Sequence, residues 1–439
     1  MLTLSHFKVD ITPCAGEPIY FGITEKERNP SLRDPLYMRG FILDDQGIRV
    51  CIASLDYCSI LNSAHSEMQS SLAGALGICA DQVIIHCIHQ HDAPVLNFEM
   101  TELLNKSGYS RTWWSNVCET CAMHAKNALT RSIQISAVRC RETRLSGYAS
   151  NRRILSRKGK CTGVRWSRCA DETIRNAPAG LIDPMLRTAA FFDTDNKPAA
   201  VMHFYSTHPQ TASGRFSFSA DAPGEALRLL NTEFPDLPQA YMTGAGGNVT
   251  AGKYSSPTDL EGNLLHFGKL LYSGMKSNLN SIINDSPPEC ASGGVSISWK
   301  TISFPFPRDN AKKKVLEKII RNPKSSESDL FRAAFLLPCY THPMNKLYRI
   351  NILSAGNIQM LFCGGELFIE YQLFVQSCIP DQFIACVQNC NGSFVYLPTG
   401  SGFAEGGYEP TYAWTTPAFE NRFKKAVAEA VNTGNASKT

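Results

Sequence analysis

Three times along this chain a short, strand-like apolar run stops abruptly at a polar loop carrying a histidine or a carboxylate. Residues 83–88 (VIIHCI) run into His89, Gln90, His91 and Asp92; residues 199–205 into Ser206, Thr207, His208 and Pro209; residues 358–363 into Gly364, Gly365 and Glu366. Runs of this length suit strands better than helices, and strand ends are where α/β proteins expose reactive groups. The placement predicts an α/β chain with a mixed sheet core flanked by helices, and irregular long loops forming the rim of a site.

The rest of the pattern agrees. Residues 37–57 read as a hairpin around Asp44, Asp45, Gln46 and Gly47, a turn cluster between apolar and β-branched runs. Helical spacing predicts helices over 63–76, 113–133, 225–230, 260–275 and 415–430, with two more between Asn310 and Leu337. Leu186 to Phe192 and Ala199 to Tyr205 read as paired strands, and further strands are expected at 295–304, 347–353 and 358–362. The polar excursion 148–178 is long enough to be functional. No internal repeat appears, so one domain over 1–439 is expected, with a candidate sub-boundary near 286–292 at Ser286, Pro287 and Pro288.

Composition narrows the function classes. A formal charge of +4 from 43 basic and 39 acidic residues leaves no broad basic footprint, so nucleic acid is not an expected partner. The densest basic stretch, Arg152 to Lys160 with Arg165 and Arg168 beyond it, reads mainly as a solvated loop. No apolar window reaches the roughly 18 to 20 residues of a spanning helix. Asp10 and Pro13 interrupt the amino terminus where a secretory signal needs an apolar stretch, so a soluble, cytoplasmic protein with reduced thiols is expected. Cys118 and Cys121, a CxxC pair without a second pair at finger spacing, read as two thiols on a helix face.

The candidate chemistry lies at the strand ends. A histidine leaving a strand can be a ligand or a packed core group, and His86, inside its strand, reads as packed. His89 and His91 can serve one site, with one on a metal and the other facing substrate. A second Thr-His-Pro, Thr341 to Pro343, lacks the strand-end context and reads as structural. Glu366 follows two glycines that permit close backbone approach; Glu370, one turn on, is the alternative carboxylate. Tyr396 and Tyr408 taken alone read as two packed or rim tyrosines.

Six segments in order carry a resemblance: Asp10 to Pro13, residues 34–45 (DPLYMRGFILDD), 89–94 (HQHDAP), 206–210 (STHPQ) with 219–224 (SADAPG), 363–371 (CGGELFIEY), and 394–398 (FVYLP) with 406–410 (GGYEP). Together they resemble the neutral/alkaline ceramidase family along nearly the whole chain. The resemblance implies zinc bound by His89, His208, Glu366 and Tyr396, the last lying twelve positions before Tyr408. It implies that His91, Arg152 and Tyr408 line the scissile amide, with Arg153 a close competitor for Arg152. The implied reaction is metal-assisted amide hydrolysis, in which His91 accepts a proton from water while Arg152 and Tyr408 stabilise the oxyanion. The implied partner is a small-molecule or lipid-like N-acyl substrate, either ceramide-like or smaller. Catalytically inactive ligand binding, or ester or phosphoester hydrolysis on the same metal, are the alternatives.

The chain departs from the family in three places. Asn248 stands where the family has aspartate in a Gly-Asp-Val segment, Pro410 follows Tyr408 and Glu409 where glycine is usual, and the family's carboxy-terminal immunoglobulin-like domain has no expected counterpart. The Gly246 to Thr250 segment reads as a backbone feature near the site.

Overall fold

The computed structural model describes residues 1–21, 24–28, 30–214, 217–284 and 295–435; the sub-boundary expected near 286–292 falls outside the described residues. Twelve strands form one mixed sheet. They are β1 (Thr3–Asp10), β2 (Tyr37–Asp45), β3 (Ile48–Leu55), β4 (Val83–Cys87), β5 (Ile133–Arg144), β6 (Met185–Asp193), β7 (Pro198–Tyr205), β8 (Gln239–Thr243), β9 (Ile297–Pro305), β10 (Leu347–Ala355), β11 (Ile358–Gly364) and β12 (Phe383–Cys390). Their order across the sheet is β8-β7-β6-β5-β1-β2-β3-β4-β12-β11-β10-β9.

Three pairs are parallel: β3 with β4, β7 with β8, and β11 with β12. Each needs a crossover, and each has a helix: α1 (Asn62–Leu76), α3 (Asp221–Glu233) and α7 (Ile369–Cys378). The remaining pairings are antiparallel, with β2 and β3 joined by the expected hairpin turn and Gln46 at φ 48°. His89, His208 and Glu366 each lie shortly beyond one strand of a parallel pair.

The sheet folds over on itself. β8 lies against β3, β4 and β12, with Ser54 Oγ donating to Tyr241 O at 2.8 Å and Thr243 N donating to His86 Nε2 at 3.1 Å. His86 is therefore a buried, hydrogen-bonded core histidine. A core drawn from strand residues such as Phe41, Ile52, Ile84, Phe191, Met202 and Met360 fills the space between the layers. On one outer face α1, α2 (Arg111–Ala128), α5 (Asn310–Arg321), α6 (Glu327–Thr341) and α8 (Ala418–Asn435) cover a second core. On the other, α3 and α4 (Leu260–Asn284) pack Leu230, Phe267, Leu271 and Met275 over Tyr205 and Tyr241.

Two helix expectations change. The helix expected over 113–133 ends at Ala128, and β5 begins at Ile133, where Ile133, Ile135 and Val138 switch the pattern from helical spacing to the β-branched type of a strand. α4 continues past Met275 to Asn284 because Leu279 and Ile282 extend its buried stripe. Cys118 and Cys121 lie buried on α2, and every cysteine among the described residues is free. Among those residues no helix is long and apolar enough to cross a membrane.

Candidate metal centre

Each candidate ligand is fixed by its own backbone. Ile88 N donates to Leu55 O and His89 N to Tyr57 O, which carries the chain off the end of β4 with His89 at φ 68°. A left-handed histidine is uncommon and costs energy; here the packed strand end maintains it. His208 N donates to Val249 O at 3.0 Å, which ties the loop after β7 to the loop after β8. Glu366 and Tyr396 are partners in a short parallel ladder, Glu366↔Tyr396 and Leu367↔Leu397. Gly247 meets this ladder so closely that a Cβ there would lie 2.5 Å from Glu366 O.

These constraints bring the side chains together. His208 Nε2 lies 3.0 Å and His89 Nε2 3.3 Å from Glu366 Oε2, and the three ligand atoms all fall within 4.8 Å of one another. Tyr396 OH lies 3.4 Å from His208 Nε2. All four residues are buried. Both imidazoles turn Nδ1 to the backbone, His89 toward Cys58 O at 2.9 Å and His208 toward Gly246 O at 2.7 Å. An Nδ1 that donates to a carbonyl fixes the tautomer whose Nε2 lone pair is free for a metal. Buried His89 Nε2 makes no hydrogen bond within the protein.

Electrostatics fit a cation. Burial opposes ionisation of Glu366, yet the neighbouring His89 and His208 hold its carboxyl well below the usual range. Burial pushes His89 down but Glu366 more than reverses this, whereas burial leaves His208 below its ordinary value. Two imidazoles, a carboxylate and a phenol make a donor set suited to a borderline divalent transition ion.

His91 and Tyr408 retain partial exposure and form the open side. The His91 ring lies 5.0 Å from that of His89 and 6.1 Å from that of His208. Burial, then the two neighbouring imidazoles, hold His91 well below its ordinary pKa, so it stays neutral. The Arg152 guanidinium carbon lies 5.1 Å from the Tyr396 ring centroid and 5.6 Å from that of Tyr408. Arg153 turns the other way, donating to Gly402 O at 3.2 Å and Gly406 O at 2.6 Å. Glu370 also points elsewhere, its Oε2 accepting from Asn248 Nδ2 at 3.0 Å. Arg152 and Glu366 are thus the members of their pairs that lie at the cluster.

The solvated-loop reading of the basic stretch needs correction. Arg157, Lys158 and Lys160 are exposed, but Arg152, Arg153 and Arg165 are buried. Arg165 gathers the carbonyls of Asn151, Ala177 and Pro178 at 2.7 to 2.8 Å, a use of the guanidinium fork that lysine cannot match. Thr341 to Pro343 lies at the C-terminal end of α6, and His342 belongs to neither cluster of candidate ligands among the described residues.

Sequence reasoning missed Cys58, whose carbonyl faces His89 Nδ1, and Gln388, whose Oε1 accepts from the amide of Gly246, the residue whose carbonyl faces His208 Nδ1. It also missed Trp166, whose ring packs edge-on to Tyr408 at 4.8 Å, and Glu409, which binds both buried arginines. The adjacency of Glu409 to Tyr408 was the one available signal; nothing in the sequence marked Gln388.

No protein-family model and no curated protein matches the sequence. Solved structures do match the fold. The neutral ceramidase from Pseudomonas aeruginosa is similar over 98% of this chain and 75% of that one, with a TM-score of 0.71 and 14% identity. A ceramidase complexed with C2 is similar over 99% of this chain and 75% of that one, with a TM-score of 0.72 and 13% identity. The protein has an α/β architecture with a candidate metal centre at its strand ends. Its particular fold is that of the neutral ceramidases, in agreement with the six ordered motifs.

Proposed function

We propose that this protein is a zinc-dependent hydrolase that cleaves the amide bond of an N-acyl substrate, ceramide-like or smaller. The observation that carries the reading is the convergence of His89 Nε2, His208 Nε2 and a Glu366 oxygen within 4.8 Å, with both Nδ1 atoms occupied by backbone carbonyls. Tyr396 is the fourth proposed ligand. Zinc held there would lower the pKa of a water from 15.7 toward about 7 and polarise a carbonyl.

The remaining steps belong to side chains. His91, neutral and partly exposed, takes a proton from the attacking water and returns it to the leaving amine. Arg152 supplies fixed positive charge beside Tyr396, and Tyr408 supplies a phenolic donor next to it. Together they oppose the negative charge that develops on the carbonyl oxygen, a role in which one preorganised donor is worth roughly 3 to 4 kcal/mol. The surrounding burial excludes competing water and strengthens these interactions.

The test couples metal analysis of the purified protein to turnover of a panel of N-acyl amides, esters and phosphoesters. Near-stoichiometric zinc, amide hydrolysis, and loss of both in His89→Ala are expected. Zinc with only ester or phosphoester turnover would replace the amide assignment, and neither metal nor turnover would overturn the enzymatic reading.

A further inference from the structure

Arg152 is 1% exposed, and a buried guanidinium needs a charged or hydrogen-bonding partner to be tolerated. That partner is Glu409, itself 0% exposed, whose Oε1 accepts from Arg152 Nε at 2.8 Å. Arg152 Nη2 is left without a hydrogen-bond partner within the protein, while the guanidinium lies between the rings of Tyr396 and Tyr408. Glu409 and the Tyr396 hydroxyl hold the guanidinium, and the Nη2 donor left over can still take a ligand oxygen.

The other oxygen of Glu409 binds Arg153 Nη1. Arg153 Nη2 in turn holds Gly402 O, Gly406 O and Glu405 Oε2. That clamp closes the turn at Gly406 and Gly407, whose φ values of 77° and 97° deliver Tyr408 to the site. At Gly407 a Cβ would lie 2.8 Å from Cys161 Sγ and 3.2 Å from Arg153 Nη1, so the turn packs against both side chains. A single carboxylate therefore reaches Arg152 directly and, through Arg153 and the turn, Tyr408.

We infer that Glu409 is a positioning residue whose contact with Arg152 registers that guanidinium against the substrate carbonyl. This rests on the proposed amidase reading. A purely structural carboxylate would lower stability and act equally in every background. A residue acting through Arg152 loses most of its effect once Arg152 is gone.

The test is a double-mutant cycle with Glu409→Gln and Arg152→Met, reading kcat, KM, zinc content and melting temperature on the best amide substrate of the wild type. Glu409→Gln is expected to keep its zinc and to lower kcat by about tenfold or more, with KM within about threefold. In the Arg152→Met background the same change should cost less than about threefold. Equal losses in both backgrounds, or an unchanged kcat, would overturn the inference. Should Glu409→Gln not fold, Glu409→Asp takes its place in the cycle with the same criterion. A crystal structure of the folded Glu409 variant is independent of turnover: displacement of Arg152 from the Tyr396 and Tyr408 rings supports the inference, and an unmoved Arg152 sinks it. A wild type inactive on amides would defeat the functional reading, and this structural arm would still decide the positioning claim.

Discussion

Glu366 and Tyr396 sit opposite each other in a parallel ladder, and Glu366 N donates to Val395 O at 2.7 Å. The residue before each is left-handed, Gly365 at φ 74° and Val395 at φ 50°. For a β-branched valine that conformation is an outlier, so two proposed ligands owe their spacing to a strained backbone held by its neighbours.

Gly365→Ala tests that dependence. Besides the left-handed φ, an added Cβ would lie 2.6 Å from Val395 O and 2.9 Å from Phe394 Cβ. Because the clash is with backbone and a packed side chain, it cannot relax cheaply. Destabilisation of about 2 kcal/mol or more is expected in urea titration, together with weaker zinc retention. Unchanged stability and metal content would show that the ladder does not set the ligand spacing.

Gln388 is the second target. It is fully buried, and its Oε1 accepts from Gly246 N at 3.0 Å, while Gly246 O receives His208 Nδ1. Gln388→Leu leaves a buried amide without its acceptor, a cost of about 1 to 3 kcal/mol, and loosens the carbonyl that sets the His208 tautomer. Zinc affinity is expected to fall roughly 10- to 100-fold, the range for loss of an outer partner, as measured by competition with a chelator. Undiminished affinity would remove Gln388 from the chain that orients His208.

The legible parts of this molecule were those that the sequence writes locally. The switch from apolar run to polar loop located His89, His208 and Glu366 at the strand ends, and helical spacing located α1. Glu366 over Glu370 and Arg152 over Arg153 were preferred from the sequence through the family resemblance rather than local pattern, because each pair is of one residue type on one segment and differs only in where the backbone points it. The buried arginines were misjudged for a related reason. Their partners, Glu409 and the carbonyls around residues 151 and 177–178, are remote in sequence or belong to the backbone, and neither is visible in a charge pattern. Folding of the sheet onto itself also left no local trace.

Asn248 marks a departure from the family pattern whose consequence can be measured. Its Oδ1 accepts from Ile369 N at 2.9 Å and its Nδ2 donates to Glu370 Oε2 at 3.0 Å, so the amide serves an acceptor and a donor at once. Burial already raises the Glu370 pKa, and the Asn248 hydrogen bond counters part of that rise. In Asn248→Asp the first bond survives and the second becomes a repulsion between carboxylates. A loss of about 2 to 4 kcal/mol is expected at neutral pH. The loss should shrink as pH falls through the further raised carboxyl pKa, where one proton is shared. Adding Glu370→Gln should restore most of the stability, and absence of that rescue would show that the pair is not coupled.

His203 sets an acid limit that is separate from the metal chemistry. It is fully buried in β7, with Nδ1 at 3.0 Å from Thr188 Oγ1 and Nε2 at 3.2 Å from Gln239 Oε1. Burial lowers its pKa from 6.5 to about 4. Between those values the unfolded chain takes up a proton that the folded chain refuses, so stability rises with pH across the interval. His203 therefore costs nothing above about pH 6.5, and its penalty grows as pH falls from there to about 4, reaching about 3 kcal/mol. Urea midpoints for wild type and His203→Gln at pH 7, 5.5 and 4.5 separate this group from other acid-sensitive ones. The variant is expected to lose less stability over that range than the wild type, since glutamine has no proton to gain. Parallel curves for the two proteins would mean that His203 does not titrate differently in the folded and unfolded chains.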